Sequence, residues 1–196
     1  MSHYFENDKN LKSEIRELSY KYNSSFFIFY SDNGVFSKNN IDYGSKLLIE
    51  TYLKENDINE KRVLDVGCGY GIMVSRVTDS YVEMIDINSR AVHLTNMNIK
   101  RYKDFKGKTY VSNVYENVEG KYDIIITNPP IRIGKEKLLE ILIGAFDHLE
   151  DNGLLYYVIR KDQGALSIKK ILEENSINVE IINRDKGYFI YRAKKC

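Results

Sequence analysis

Apolar and polar positions along the 196-residue chain alternate in blocks that predict strands separated by helices. Short apolar runs that end in turn-forming residues predict strands, and apolar positions that recur every three or four residues predict helices. The apolar run at 124–126 is typical of a strand buried on both faces of a parallel sheet. Strands are predicted at 61–66, 81–86, 108–111, 121–127, 154–159, 178–182 and 188–191, and helices at 72–77, 88–102, 134–149 and 165–174.

This order of elements predicts an α/β fold with a mostly parallel sheet, helices on both faces and right-handed crossovers. The last two predicted strands are close enough in sequence to form an antiparallel hairpin, so the sheet is mixed. Residues 1–55 are different: a helix at 11–22, a strand at 26–30 and a turn at 31–34 indicate an N-terminal lid or an extra strand pair packed on the core. We therefore divide the chain into this N-terminal extension and a main domain at 56–196.

Composition is that of a soluble globular protein, since 43% of the residues are hydrophobic and 29% are charged. No apolar run approaches the roughly 18 residues of a membrane helix, and the N-terminus has no apolar signal core, so we expect a cytoplasmic protein without membrane contact. The two cysteines and three histidines lack the spacing of a metal site, and we expect no metal. The net charge is +1, but residues 154–196 carry 9 Lys/Arg against 5 Asp/Glu, which is typical of either a nucleic-acid partner or a solvated basic surface.

A glycine turn after the first predicted strand of the main domain indicates a ligand site. Glycine permits a backbone with positive φ and lets a ligand approach the main-chain amides. In an open α/β sheet such a turn lies at the carboxyl ends of the strands, where ligands bind. The turn is Gly67-Cys68-Gly69-Tyr70-Gly71, and the next strand ends at Asp86, whose carboxylate can accept both hydroxyl protons of a ribose.

The spacing of this turn distinguishes between ribose ligands. Dinucleotide-binding folds use G-x-G-x-x-G, whereas this chain has G-x-G-x-G. Asp65, at the end of the preceding strand, would repel a pyrophosphate but suits the ammonium of an amino acid, directly or through water. We infer an adenosine that carries an amino acid, namely S-adenosylmethionine; a structural turn without a ligand is the alternative.

The two prolines of the chain are adjacent, Pro129-Pro130, and follow Asn128 at the end of a predicted strand. A chain of this length ordinarily holds about ten prolines. Two consecutive prolines fix two φ angles, remove two amide donors and push Asn128 out of the helical region, so the corner is stiff and rich in acceptors. The Asn128 side-chain oxygen and the Pro129 carbonyl can both accept hydrogen bonds from one planar amino group. This suits methyl transfer to an exocyclic base nitrogen by alignment and electrostatics.

These motifs resemble those of class I S-adenosylmethionine-dependent methyltransferases, which have a Rossmann-like fold. Residues 64–71 resemble the cofactor loop of that class, Asp86 its ribose acid and Asn128-Pro129-Pro130 its amino-group signature. The finer resemblance is to the bacterial guanine-N2 methyltransferases of 16S ribosomal RNA, over about residues 26–193. The segments that carry it are 34–37, 42–48 and 112–114.

The resemblance implies a role for each matched residue. The corner Asn128, Pro129 and Pro130 would be catalytic, holding the guanine amino group in line. Cofactor-binding residues would be Asp65, Gly67, Cys68, Gly69, Tyr70, Gly71, Asp86, Ile87, Asn113, Val114 and Asn128. Substrate-binding residues would be Phe36, Ser37, Ser45, Ile131, Arg132 and Lys161.

Two features depart from the pattern of the ribosomal RNA enzymes. The position after the proline pair is often aromatic and stacks on the target base, but here it is Ile131, so a ring comes from elsewhere, such as Phe36, or aliphatic packing replaces it. Those enzymes often carry a second methyltransferase-like half, and we expect none here. Positive charges at Arg132, Lys135, Arg160 and Lys161 are hypothesised to contact RNA phosphates and to replace part of that half.

Three functions therefore stay open. The first is a guanine-N2 methyltransferase whose partner is ribosomal RNA or the small ribosomal subunit. The second is the same chemistry on another amino group, such as adenine N6 or a protein glutamine, because each presents an NH2 to the same corner. The third is a non-catalytic cofactor-binding fold that acts in RNA binding or assembly, against which the presence of Asp65, Asp86 and Asn128 argues.

Overall fold

The computed structural model describes residues 11–22, 24–55, 60–72 and 79–196. Its strands and helices follow the alternation expected from the apolar pattern. In chain order they are β1 (Arg16–Tyr22), β2 (Ser25–Ser31), α1 (Tyr43–Glu55), β3 (Arg62–Val66), β4 (Tyr81–Asp86), α2 (Ser89–Ile99), β5 (Lys106–Val111), β6 (Tyr122–Thr127), α3 (Lys135–Gly144), β7 (Leu149–Arg160), α4 (Ala165–Glu174), β8 (Ile177–Asp185) and β9 (Tyr188–Lys195).

Seven strands form one sheet in the order β5-β4-β3-β6-β7-β9-β8, in which β9 runs antiparallel to both of its neighbours. This confirms the mixed, mostly parallel sheet with a C-terminal antiparallel hairpin. The chain moves outward from β3 to β5 and then returns to place β6 on the other side of β3. Val66 of β3 pairs with Thr127 of β6, so the strand order reverses between these two ends. Ligands of open α/β sheets bind at such a point.

Successive residues of the central strands point into two separate apolar layers, which confirms helices on both faces. Ile124 and Ile126 of β6 pack with residues of α1 and α2, while Ile125 packs with residues of α3 and α4. The alternation follows from the two-residue period of a strand. It explains why the run at 124–126 has no polar member, since both faces of β6 are buried.

The N-terminal segment contradicts one prediction and confirms another. The helix expected at 11–22 is wrong, because Arg16–Tyr22 is a strand that pairs antiparallel with β2 from Arg16↔Ser31 to Tyr22↔Ser25. Leu18 and Tyr20 are buried, whereas the residues between and beside them face solvent. The strand expected at 26–30 is present as β2, so this segment contains the extra strand pair. The division of the chain at residue 55 stays a prediction.

Helix α1 was not predicted, although it positions part of the site. Leu48, Ile49 and Tyr52 are buried against the sheet, and the Tyr52 ring lies edge-on to Tyr156 of β7 with the ring centroids 5.2 Å apart. The Asp42 carboxylate accepts a hydrogen bond from the Ser45 amide at 2.8 Å, which caps the first turn. The start of α1 is thereby fixed next to the carboxyl edge of the sheet.

Other element limits differ modestly from the predicted ones. Helix α2 begins after its N-cap Asn88, as expected, but ends at Ile99. Helix α3 ends at Gly144 and a short 3₁₀ turn follows it, while β7 begins already at Leu149. The helix expected at 72–77 lies, apart from its first residue, outside the described residues. Across the described ranges, the helices are all too short or too polar to cross a membrane.

Candidate active site

A cavity of about 580 Å³ opens at the carboxyl edge of the sheet, over the ends of β3 and β6. Most of the residues assigned to the site from sequence line this one cavity. They are Phe36, Ser45, Gly67, Cys68, Gly69, Tyr70, Asp86, Ile87, Asn113, Val114, Asn128, Pro129, Pro130, Ile131 and Arg132. Asp65, Gly71, Ser37 and Lys161 are not among the lining residues.

The three glycines of the turn after β3 serve different purposes. All have positive φ, +75° at Gly67, +58° at Gly69 and +79° at Gly71. A Cβ added at Gly67 or Gly69 would meet no atom within 4 Å, so both leave open space beside the backbone. A Cβ at Gly71 would lie 2.7 Å from Cγ2 of Thr95, so this glycine permits close packing against α2. The first two glycines therefore form the cradle, and the third anchors it.

Asp86 lies on the cavity wall directly beside this cradle. Its carboxylate accepts hydrogen bonds from the Gly69 amide at 2.9 Å and from the Asn88 amide at 2.8 Å. Burial nevertheless raises the pKa of Asp86 to about 6, because the two amide donors only partly offset the lost hydration. The group is mainly ionised at neutral pH and can accept hydroxyl protons from a ligand in the cavity.

Asp65 lies behind the cavity wall. Only 7% of the residue is exposed, and burial, followed by the charge of Asp86, raises its pKa to about 7. A carboxyl in this position gains stability from a cation placed nearby. Cys68 is also buried, and burial raises the pKa of its thiol well above the ordinary value, so it is a neutral packing residue.

Asn128 is held in one orientation by the first turn of α1. Its amide nitrogen donates to the Asp42 carboxylate at 3.0 Å and to the Ser45 hydroxyl at 2.8 Å. An ionised carboxylate only accepts hydrogen bonds, so the nitrogen of the amide, and not its oxygen, faces Asp42. The amide oxygen is left directed away from α1. Thr127, just before it, donates its hydroxyl to the Val66 carbonyl at 2.8 Å and ties the end of β6 to the end of β3.

The remaining substrate candidates occupy different places. Phe36 is 40% exposed on the cavity wall, whereas Ser37 borders a neighbouring hollow and donates its hydroxyl to the Asn40 carbonyl at 2.6 Å. Ile131 is half-buried at the cavity, and Arg132 next to it is exposed. Lys161 lies in the short 3₁₀ turn after β7, outside the cavity lining.

Two of the cavity residues that were not predicted from the sequence, Asp42 and Tyr188, bear on the chemistry of the site. Asp42 was not assigned a role, although an acidic residue three positions before Ser45 is a helix-capping pattern that could have indicated it. Tyr188, at the start of β9, lines the cavity together with Arg160. Nothing in the local sequence around Tyr188 distinguishes it from the many other tyrosines of the chain.

The family model described as methyltransferase small domain matches residues 27–192. Among curated proteins, the chain is 40% identical to "Uncharacterized protein YbxB" of Bacillus subtilis (strain 168), over 98% of each chain. It is 31% identical to "Ribosomal RNA small subunit methyltransferase C" of Erwinia tasmaniensis, over 83% of this chain and 48% of that protein. The chain thus spans about half the length of the relatives that carry this second name.

Two solved structures share the fold. The T. thermophilus 16S rRNA N2 methyltransferase RsmC, in complex with AdoMet and guanosine, superposes with a TM-score of 0.81 at 21% identity, over 95% of this chain and 52% of that chain. The ribosomal protein L11 methylase of Lactobacillus delbrueckii subsp. bulgaricus superposes with a TM-score of 0.69 at 20% identity, over 81% of this chain and 85% of that chain.

Proposed function

We propose that this chain, which belongs to the methyltransferase small domain family, methylates guanine N2 in 16S ribosomal RNA. Membership of the family makes it a methyltransferase that uses S-adenosylmethionine. The observation that carries the proposed substrate is the fixed orientation of Asn128. Asn128 lines the same cavity as the glycine cradle and Asp86, and because its amide nitrogen donates to Asp42 and Ser45, its amide oxygen is the atom left to accept a hydrogen bond from a substrate. A cytoplasmic location, where ribosomal RNA is modified, goes with this proposal.

The shape and chemistry of the cavity fit the cofactor. The space beside Gly67 and Gly69 admits a ligand against the backbone, and Asp86 supplies the ionised acceptor that a ribose diol requires. Ile87 and Val114 add apolar surface to the same wall, suited to the faces of an adenine ring. When bound, the cofactor supplies an electrophilic methyl group.

The residues around Asn128 provide alignment. The lone pair of a guanine amino nitrogen is delocalised into the ring, so the amino group must be held in the geometry that exposes it. The Asn128 amide oxygen and the Pro129 carbonyl accept the two N–H groups, and the fixed φ angles of the prolines keep the second acceptor in place. Both acceptors would also stabilise the positive charge that develops on the nitrogen as its bond to the methyl group forms and the bond between that methyl group and the cofactor sulfur breaks. The nitrogen then releases one of its two protons to solvent, so no titrating base is needed in the transfer itself.

The names of the relatives support RNA as the substrate. Relatives at 31% identity are named ribosomal RNA small subunit methyltransferase C, and the T. thermophilus structure is an N2 methyltransferase with guanosine bound. A second candidate, methylation of a protein amide or of another base amino group, is supported by Ile131, which lacks the ring expected to stack on a base, and by the likeness to an L11 methylase. A non-catalytic RNA-binding role is the third.

Labelled methyl transfer tests the proposal. The chain and labelled S-adenosylmethionine are incubated in parallel with small ribosomal subunits and with deproteinised RNA, and the nucleosides are separated by mass spectrometry. We expect label in N2-methylguanosine, and none with the Asn128→Ala variant, which keeps the cofactor cradle. Label in methyladenosine or in protein would establish the second candidate, and no transfer to either substrate would favour the third.

A further inference from the structure

Four side chains form a connected group beside the cavity, which we call the aromatic rim: Tyr43, Arg160, Lys186 and Tyr188. Arg160 and Tyr188 line the cavity, Tyr43 packs on Tyr188, and Lys186 lies over Tyr43. The Tyr43 and Tyr188 ring centroids lie 5.7 Å apart. The Arg160 guanidinium lies 5.5 Å from the Tyr188 ring centroid, and the Lys186 ammonium lies 4.5 Å from that of Tyr43. Each ring therefore carries a cation at cation–π distance.

The fold places this group at the carboxyl edge of the sheet. Arg160 is the last residue of β7 and pairs with Tyr188, the first residue of β9. Lys186 lies in the turn between β8 and β9, whose Gly187 carbonyl accepts a hydrogen bond from the Lys161 amide at 2.8 Å. The turn is thus short and tied to the segment after β7, which gives the aromatic rim a rigid base.

The aromatic rim adjoins the corner that holds the amino group. Tyr188 and Asn128 both contact the first turn of α1, Asn128 through Asp42 and Ser45, and Tyr188 through Gly44. A Cβ at Gly44 would lie 2.8 Å from the Tyr188 ring, so the ring packs directly on the helix backbone. Both residues line the same cavity. A nucleotide next to one bound at Asn128 therefore reaches the rim.

The exposure of the four residues suits binding from solution. Arg160 and Lys186 are exposed, and Tyr43 and Tyr188 are half-buried, so both tyrosines keep part of their surface in contact with solvent. Two carboxylates lie close: Asp162 pairs with Arg160 at 3.0 Å, and Asp185 accepts a hydrogen bond from the Tyr43 hydroxyl. The Arg160–Asp162 pair is exposed on both sides, 45% and 65%, so a phosphate can compete for the guanidinium at little cost.

We propose that the aromatic rim binds the single-stranded RNA next to the target base, with Tyr188 stacking on a base and Lys186 and Arg160 contacting phosphates. Aromatic faces combined with cations along a groove are the general means of holding single-stranded nucleic acid. Ile131 provides no ring at the amino-group corner, so the stacking surface is displaced to β9 and α1. This inference rests on RNA as the substrate in the proposed function.

Anisotropy titration of a fluorescein-labelled single-stranded RNA of about 12 nucleotides, with S-adenosylhomocysteine present, measures this surface. We expect Tyr188→Leu to weaken binding by about tenfold and Tyr188→Phe, which keeps the ring, to bind as the wild type. Lys186→Gln should weaken binding by about threefold and lower the salt slope of log Kd by about 1. Phe26→Leu and Lys21→Gln are the matched controls, because this ring and cation lie 5.5 Å apart on β1 and β2, outside the cavity lining.

The results of these titrations distinguish failure of the aromatic rim as an RNA-binding surface from failure of the proposed methyl transfer. Circular dichroism melting and cofactor titration confirm that each variant folds and keeps its cradle. If Tyr188→Leu binds the RNA as tightly as the wild type, or if the control variants weaken binding equally, the rim is not the RNA surface. If the wild type transfers no methyl group to RNA while Tyr188→Leu still loses RNA affinity, the proposed reaction fails and the rim stands. Asn128→Ala should lose methyl transfer while its RNA affinity falls less than that of Tyr188→Leu.

Discussion

The Asp42 carboxylate accepts a hydrogen bond from the side-chain nitrogen of Asn128 at 3.0 Å, across 86 positions of sequence. The same oxygen accepts the Ser45 amide at 2.8 Å and caps α1. One carboxylate thus starts a helix and orients the amide that we assign to catalysis. We therefore assign Asp42 as a positioning residue, which orients the Asn128 side chain and does not itself contact the substrate.

The first prediction separates these two tasks of Asp42. Serine is an equally good helix cap but is too short to reach Asn128, so Asp42→Ser should keep the free energy of unfolding within about 1 kcal/mol of the wild type. We expect kcat to fall by about 10- to 100-fold, with the affinity for S-adenosylmethionine unchanged, because the Asn128 amide loses its fixed orientation.

Asp42→Asn provides the rescue for this test, since an amide oxygen can still accept from Asn128, though without charge assistance. Its kcat should lie between those of the wild type and Asp42→Ser. Steady-state methyl transfer, calorimetric cofactor titration and urea unfolding give the three quantities. An unchanged kcat in Asp42→Ser would remove Asp42 from the site.

The second prediction concerns the pH dependence of cofactor binding. Burial raises the pKa of Asp86 to about 6, and we expect its ionised form to accept the ribose hydroxyl protons. The affinity for S-adenosylmethionine should therefore fall as the pH is lowered through about 6. Asp86→Asn should bind more weakly and lose most of this pH dependence. Calorimetric titration between pH 5 and about 8 measures both curves; parallel curves for the two proteins would contradict the assignment.

The third prediction concerns stability without the cofactor. Burial, and then the charge of Asp86, raises the pKa of Asp65 from its ordinary value of 3.8 to about 7. The native state holds this proton in a range where the unfolded chain has released it, so stability falls as the pH rises from about 4 to 7. Asp65→Asn should raise the melting temperature by a few degrees at pH 8, and the difference should vanish at about pH 4.

Thermal melts at a series of pH values test this prediction on the protein without ligand. Cofactor binding should reduce the difference in melting temperature at pH 8, because the ammonium group that we expect near Asp65 stabilises the charged carboxylate of the wild type. If Asp65→Asn melts below the wild type at pH 8, the prediction is wrong. The favourable contacts of the Asp65 carboxylate would then exceed the cost of burying its charge.

The fourth prediction compares two glycines of one turn. Alanine at Gly69 would meet open space, whereas alanine at Gly71 would place its Cβ 2.7 Å from Thr95. Both changes carry the cost of a positive φ, about 1 kcal/mol. Gly69→Ala should therefore mainly weaken cofactor binding, while Gly71→Ala should lose about 2–4 kcal/mol of unfolding free energy through the added clash. Urea unfolding measures the stability of both variants, and calorimetric titration measures their affinity for the cofactor. Equal losses of stability in the two variants would contradict the prediction.

The strands of the main sheet were predictable because each apolar run is confined to one strand and closes on a turn. The N-terminal segment was not, because its apolar residues fit two periods at once. Leu11, Ile15, Leu18 and Tyr22 recur at helical spacing, whereas Leu18, Tyr20 and Tyr22 alternate as in a strand. Pairing with β2 selects the strand. This pairing is a tertiary interaction, which the spacing of apolar residues within the segment does not predict.

The residues of the site likewise fall into those that the sequence predicts and those that it does not. Gly67, Asp86 and Asn128 follow apolar runs directly, so their place at the carboxyl edge follows from the order of strands. Asp42 and Tyr188 reach the cavity through the packing of α1 on the sheet and the register of β9 with β7. The capping pattern before Ser45 marks Asp42 as a helix start but does not show that it reaches Asn128, and Tyr188 has no local pattern at all. Residues that position or extend a site from distant elements are therefore the ones that sequence reasoning misses.

The pairing of β3 with β6 also bears on how the protein acquires its binding site. The two strands are tied by contacts such as that of Thr127 with Val66, 61 positions apart, and the cradle and the Asn128 corner meet through this pairing. Contacts between residues far apart in sequence form slowly, because the chain loses the entropy of the closed loop before the contact stabilises it. A nascent chain that has reached only β5 has the glycine turn without its partner corner. The glycine cradle and the Asn128 corner are therefore joined only when β3 and β6 pair, and a ligand that binds across both favours the chain in which this pairing is complete.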